Sequence, residues 1–446
     1  TSLNMSQVKS IEDLDSKVVA ELTERPYTLS HILCDNLGLS VGELVNSYKR
    51  IGSSPNLWTK LVESSKIPEF SFSYYELLSN QHSRKWIQDV FNLETVAPRI
   101  IEYHPAFTCN YSCTHCFSRG VDYEEIGKLE ERISFERMIS ILKECRDLGV
   151  ESFWISGGKE PLVDKNVKYL IYLASEMYGF KVRLYTNGFF MSEDVCRNLL
   201  SCEQIRVSMD SPSEKLYNLI HFGSNNSEEA FQRVLGNIKT LIALRNRENS
   251  SLRIAISQVV HPGNYKSIFE LVLFGSTLGV DSVQIRREMV GRTSEFTASQ
   301  ISEIRDILAR VRENKWGNMR VDIRGLDDEE INGSRARANI PLTEYCFAGL
   351  YKKGINPWGQ MYHCEFTCHP VFAKDRPHLK MGDLRKQSVF EIIKNTDYRT
   401  IKTNGCSYCQ AQGIGLNWQM FKLLEDAKFG VMLEDQPFIP MWKEIQ

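Results

Sequence analysis

Between residues 99 and 290, short apolar runs alternate with helical ones. This alternation constrains the fold more than any other feature. The runs are RIIEYH (99–104), SFWIS (152–156), KVRLYT (181–186), QIRVSMD (204–210), LRIAISQVV (252–260) and SVQIRR (282–287). Between them lie stretches with apolar residues three to four apart, such as SFERMISILKECRDLG and YKSIFELVLFGSTLG. Repeated strand–helix alternation gives a parallel sheet with helices outside. Six such units are too few for a closed eightfold barrel. The expected class is therefore α/β, with a partial (β/α)6 TIM-like barrel over 98–315.

The flanks read differently. Residues 1–97 carry helical periodicity in SIEDLDSKVVAELTER, TLSHILCDNLGLS and VGELVNSYKRIG, with Ser10 and Ser40 as N-cap candidates. Such a helical N-terminal extension suits a helix-turn-helix-like or leader-recognition module, or a layer packed on the catalytic domain. ASQISEIRDILARVREN (298–314) is a further amphipathic helix, and GLDDEEINGSRARANIP reads as a linker or mobile loop. The remainder, 316–446, is expected to form a small C-terminal domain of short strands and turns.

Charge and cysteine content narrow the chemistry. A net charge of −2 on 446 residues excludes a strongly basic nucleic-acid binder on bulk charge. No secretory signal and no apolar run of membrane-spanning length is visible, so a cytoplasmic protein with no membrane partner is expected. The chain nevertheless has 12 cysteines. Without a secretion signal, metal or redox chemistry explains them better than a disulfide framework. Cys109, Cys113 and Cys116 form C-x3-C-x2-C directly after the first strand. Cys346, Cys364, Cys368, Cys406 and Cys409 form a second group. Cys34, Cys145, Cys196 and Cys202 stand alone and read as small core residues. Three thiolates can hold three irons of a [4Fe–4S] cluster and leave the fourth open. The competing ligand set is structural zinc with His104 or His115 as the fourth donor.

C-x3-C-x2-C after the first strand of a β/α domain resembles the radical S-adenosylmethionine (SAM) superfamily. The resemblance covers roughly 99–290. It implies a cluster on Cys109, Cys113 and Cys116, SAM chelated to the open iron, and cleavage of SAM to a 5′-deoxyadenosyl radical. His115 stands where the family usually has an aromatic residue. Ser156–Pro161, SGGKEP, resembles the family's glycine-rich loop and implies Gly157, Gly158 and Glu160 as contacts to the SAM amino group. Thr186 and Asn187 end the third strand, and Ser208 ends the fourth, similar to a family residue near the SAM ribose or carboxylate. Asp210 is a further contact candidate. Gln258, Gln284 and Arg286 are polar residues on apolar strands; they read either as inward-facing contacts or as strand-edge residues satisfied by solvent.

The second group allows a fully ligated auxiliary [4Fe–4S] cluster or zinc. The spacing C-x17-C followed by a distant C-x2-C resembles the twitch form of the SPASM domain, implying Cys346, Cys364, Cys406 and Cys409 as ligands. A hairpin turn at Pro357–Gly359 and a helix from Ser388 belong to that resemblance. Cys368 is left over, either as a competing ligand, a structural thiol or a catalytic hydrogen-atom donor. Radical SAM epimerases resemble the last logic. The favoured expectation is therefore a ribosomal-peptide L-to-D epimerase with a precursor peptide as substrate. Dehydrogenation, dehydration or epimerisation of a sugar or aminocyclitol is the alternative. Either needs an electron donor such as flavodoxin or ferredoxin. A non-catalytic metal scaffold with a DNA-binding N-terminus is the reading from a different class.

Overall fold

The computed structural model describes residues 97–121, 131–223, 228–288, 295–326, 348–374 and 376–396. The expected N-terminal helices lie outside these, as do Cys34, Cys346, Cys406 and Cys409. The chain divides into two compact units, the larger formed by Arg99–Ala336 with Lys352–Val389.

That larger unit is built on one ten-stranded sheet. Its strands are β1 (Ile100–Tyr103), β2 (Ser152–Ile155), β3 (Lys181–Thr186), β4 (Gln204–Ser208), β5 (Arg253–Val260), β6 (Ser282–Arg287), β7 (Arg320–Arg324), β8 (Lys352–Ile355), β9 (Gln360–Tyr362) and β10 (Lys380–Asp383). Strands β1 to β7 pair in sequence order and in parallel, as a partial barrel requires. All six apolar runs are among them. Two further strands join. β7 extends the sheet beyond β6, and β8 pairs in parallel with β1 on the other side. Neither has an apolar run: RVDIR and KKGI place charges on the sheet, where Arg324 pairs with Asp322 in the same strand and Lys352 with Glu102 of β1. β8 and β9 form the expected hairpin, turned by Gly359 at φ +74°. A helix over Val389–Asn395 follows Ser388.

The register assigns the two faces of the sheet. Ile101, Phe153, Val182, Leu184, Ile205, Val207, Ile256 and Val283 are fully buried on the helix side. The helices are α1 (Phe135–Asp147), α2 (Val167–Tyr172), α3 (Glu193–Leu199), α4 (Glu214–Phe222), α5 (Glu228–Arg247), α6 (Ile268–Leu278) and α7 (Ala298–Glu313). α1 illustrates why they form. Ser134 caps it by accepting from the Arg137 N–H, and Met138, Ile141, Leu142 and Cys145 are buried along one stripe. Each such aliphatic side chain stabilises the layer by about 1.5–3 kcal/mol. Cys145, Cys196 and Cys202 are buried, matching their reading as core residues. The opposite face is polar. Glu102, Trp154, Arg183, Tyr185, Arg206, Gln284, Arg286, Asp322, Arg324 and Lys352 line it. No described helix is long and apolar enough to cross a membrane.

Candidate active site

The loop after β1 is anchored on the end of α4. The last carbonyls of a helix lack partners within it. Here the Ser112 and Thr114 N–H groups donate to the His221 and Ile220 carbonyls at 3.0 and 2.9 Å. Tyr111 packs its ring on His221 and Phe222, and its hydroxyl lies 2.9 Å from that of Tyr217. This fixes Cys109, Cys113 and Cys116, all half-buried, at the C-terminal mouth of the sheet, where barrel enzymes place their chemistry. Cys109 Sγ accepts from the Tyr111 N–H at 3.3 Å, Cys113 Sγ lies 3.0 Å from His221 Nδ1, and Cys116 Sγ lies 3.2 Å from Ser118 Oγ.

Two further loops close on this one. Glu160 is buried and accepts from the Leu162 N–H, the Thr186 hydroxyl and the Asn187 N–H at 3.0, 2.7 and 2.7 Å. Its own N–H donates to the Thr108 carbonyl. Asn187 in turn donates to Asn110 at 2.9 Å and reaches Cys109 Sγ at 3.8 Å. Glu160 thus ties the glycine loop to the turn after β3, and Asn187 ties that turn to the cysteines. Burial outweighs these donors and pushes the Glu160 carboxyl up to about 7. Gly188 takes the turn at φ +79°, where a Cβ would sit 2.8 Å from Val207. Gly158 is needed for another reason. A Cβ there would lie 1.9 Å from the His369 ring, and its carbonyl accepts from Ser118 at 2.5 Å. A Cβ on Gly157 would meet the Lys159 carbonyl at 3.0 Å.

Beyond β4 the backbone turns left-handed at Asp210, φ +54°. Its Oδ1 accepts from the Val259 N–H at 2.6 Å, and its Oδ2 lies 3.5 Å from His221 Nε2 and 3.7 Å from His115 Nε2. Ser208, half-buried, ends β4 on the polar face beside Ser257. Gln258 differs from the inward-facing expectation. It pairs with Ile285 on the helix side, fully buried, and its amide donates to the Asp210 and Asn264 carbonyls and to Ser267. It braces the loop that carries Asp210. Gln284 and Arg286 do face the polar side. Arg206 stacks 4.0 Å above Tyr185 and donates to Gln284. Burial, and Arg286 beside it, depress the Arg206 guanidinium to about 9. The Arg286 Nε has no hydrogen-bond partner among the described residues.

Cys364 is half-buried, and its three expected co-ligands lie outside the described residues. Cys368 is 1% exposed. Its sulfur lies against Gly354, 2.3 Å from where a Cβ would be. Gly354 is aligned with Glu102 across the β1–β8 pair, so Cys368 sits on the polar face. Lys352 joins Glu102 and Glu365 there at 2.8 and 2.7 Å. Burial, then Glu102 and Glu365, push the Cys368 thiol well above its ordinary value. His104 bonds Glu102 at 3.1 Å and stacks on His369, whereas His115 sits in the cysteine loop facing Asp210.

The residues present fit an iron–sulfur cluster. Burial pushes the Cys109 thiol to about 11 and Cys113 well above its ordinary value, so their thiolates require a cationic partner. Among the described residues no three His, Cys, Asp or Glu side chains converge on one point. Three irons of a cubane each take one thiolate, so a single point is not required. The sequence does not single out His221 or His369, and no spacing rule links them to a cysteine loop more than 100 residues away.

Comparison with known proteins agrees with this geometry. The Radical SAM superfamily matches residues 103–274, and the SPASM iron–sulfur cluster-binding domain matches 346–411, spanning the second cysteine group. An S-adenosylmethionine-dependent nucleotide dehydratase of Fibrobacter sp. is 28% identical over 200 residues, 44% of this chain and 57% of the relative. Mycofactocin maturase MftC of Mycolicibacterium smegmatis is 25% identical over 289 residues, 62% of this chain and 66% of the relative. The chain thus spans between about half and two thirds of these relatives' length. Streptococcus suis SuiB, solved with its precursor peptide SuiA, shares the fold at a TM-score of 0.52 and 17% identity, over 76% of this chain and 75% of SuiB. The domains carry a SAM-binding [4Fe–4S] cluster, an auxiliary cluster and SAM. The chain carries a Radical SAM domain followed by a SPASM domain.

Proposed function

We propose that this enzyme epimerises a residue of a ribosomally made peptide, with Cys368 as the hydrogen-atom donor. The observation that carries the reading is the Cys368 thiol on the polar face of the barrel sheet, against Gly354 and beside Glu102 and Lys352. In this reading Cys109, Cys113 and Cys116 hold the SAM-binding cluster, and Cys346, Cys364, Cys406 and Cys409 the auxiliary one. Gly157, Gly158, Glu160, Thr186, Asn187, Ser208 and Arg286 shape the SAM site. Bound there, the cluster and SAM would supply a 5′-deoxyadenosyl radical to take one hydrogen atom from substrate carbon. Burial keeps Cys368 as S–H at neutral pH. Its S–H bond breaks, and the hydrogen forms a C–H bond on the opposite face of that carbon. The thiyl returns to thiol with one electron and one proton from a low-potential donor such as flavodoxin or ferredoxin. Mycofactocin maturase and SuiB, both linked by name or title to maturation or a precursor peptide, support a peptide substrate. Residues 1–97 are the segment we assign to leader binding.

The test is turnover in D2O with the peptide encoded by a neighbouring gene. One solvent deuterium per inverted α-carbon is expected. Cys368→Ala should lose epimerisation and retain SAM cleavage. An unlabelled or ketone-bearing product, or an unaffected variant, overturns the proposal. The guanidinium groups of Arg206, Arg286 and Arg324 favour a second reading, dehydrogenation or dehydration of an anionic sugar or nucleotide, in which Cys368 takes no part. The dehydratase relative supports it.

A further inference from the structure

We propose that Arg206 and Arg324, with Arg286 at their border, form an anion subsite on the polar face of the barrel sheet, and that it takes the side-chain carboxylate of an Asp or Glu residue of the peptide substrate. The peptide part of the inference rests on the reading above. Register brings the three arginines together. Tyr185 pairs with Arg206 across β3 and β4. Arg286 pairs with Arg324 across β6 and β7, one row nearer the C-terminal mouth than Gln284 and Asp322. Arg206 stacks on Tyr185 and donates to Gln284, which donates to Asp322 at 3.1 Å. Arg324 donates to both oxygens of Asp322. The cluster therefore runs from β3 to β7, and Asp322 is the carboxylate bonded within it.

Charge and unused donors say what fills it. Like charges directly opposite each other on neighbouring strands repel, yet Arg286 and Arg324 are so placed. Asp322 answers Arg324, and Asp210 attracts Arg286 from the loop after β4. Glu102 also acts on Arg206, but Lys352 and His104 already share it. Arg206 therefore carries the surplus charge, and of its nitrogens only Nη1 is hydrogen-bonded among the described residues. On the polar face of β2 to β7, the buried side-chain atoms without a partner among the described residues are Arg286 Nε and Trp154 Nε1. Both are donors, so this face lacks acceptors, and a buried donor left unmatched is costly. A single surplus charge calls for a monoanion, a carboxylate rather than a polyphosphate. The planar fork of an arginine matches the two oxygens of a carboxylate.

The test is a double-mutant cycle read by calorimetric binding. It uses the full chain with both clusters reconstituted anaerobically and the precursor peptide encoded by a neighbouring gene. Each Asp and Glu of the peptide is replaced in turn by Asn or Gln. One replacement should weaken binding to the wild-type enzyme about ten- to a hundredfold. Arg206→Gln should weaken the unaltered peptide to the same extent, and should cost the peptide lacking that acid nothing further. Arg206→Lys, which keeps the charge without the fork, should recover part of the loss. Losses that simply add overturn the subsite, as does a peptide in which no replacement costs more than about twofold. The second result is read on wild-type enzyme and holds even if the variants misfold. Weakened binding of SAM instead of peptide by Arg206→Gln also overturns it, because the anion is then the SAM carboxylate. The reaction is judged separately. Coupling with unlabelled product in D2O keeps the subsite and overturns epimerisation, whereas labelled product with additive losses does the reverse.

Discussion

The Glu160→Gln substitution tests how the site is held together. Glu160 is 2% exposed, and burial raises its carboxyl from 4.5 to about 7 despite three donors. A folded value above the unfolded one means the native state binds the proton more tightly. The stability contribution is therefore fully present below pH 4.5 and is lost as pH rises through about 7. Integrated over that window, ionising Glu160 costs the native state about 3 kcal/mol. Glutamine does not titrate, but its NH2 must face one of these donors, which lowers the variant's stability by an amount that does not change with pH. The gap between the two proteins should therefore shift against wild type from pH 5 towards pH 8. A difference of about 3 kcal/mol corresponds to roughly 6–12 °C in a domain of this size. Differential scanning calorimetry of both proteins across this pH range is the assay; other titrating groups cancel in the comparison. Parallel melting curves at every pH would refute a raised carboxyl at Glu160, and with it the claim that burial dominates its environment.

Two further substitutions probe the same region. Gly158→Ala places a methyl group inside the His369 ring, which is confined by His104, Phe107 and Phe117. It should cost about 1–3 kcal/mol by overpacking and weaken SAM binding measured by calorimetry; a wild-type melting temperature would count against the contact. Cys109→Ala should lower iron after reconstitution from about eight to about four atoms per chain, one cubane of two, and abolish 5′-deoxyadenosine formation; full iron content would remove Cys109 from the ligand set.

Much of this was legible in the chain, and for a physical reason. Apolar runs of strand length and three-to-four periodicity are local consequences of burial, so β1–β6 and their helices could be read directly. The cysteine loop and SGGKEP are contiguous, so their spacing carried the chemistry. β7 and β8 were not legible, because RVDIR and KKGI are too charged to read as apolar runs; Arg324 is offset by Asp322 within β7, and Lys352 by Glu102, which is distant in sequence. Gln258, read as either an inward-facing contact or a strand-edge residue satisfied by solvent, is instead a buried brace on the helix side, because its face depends on pairing with Ile285. His221 stands 108 residues from Cys113, and Cys368 meets Glu102 only because β8 lies beside β1. The sequence by itself determined the alternation, the ligand types and the order of the loops. The tertiary structure alone decided which side chains those loops meet, because contacts between distant residues are set by strand order and register, which local pattern does not encode.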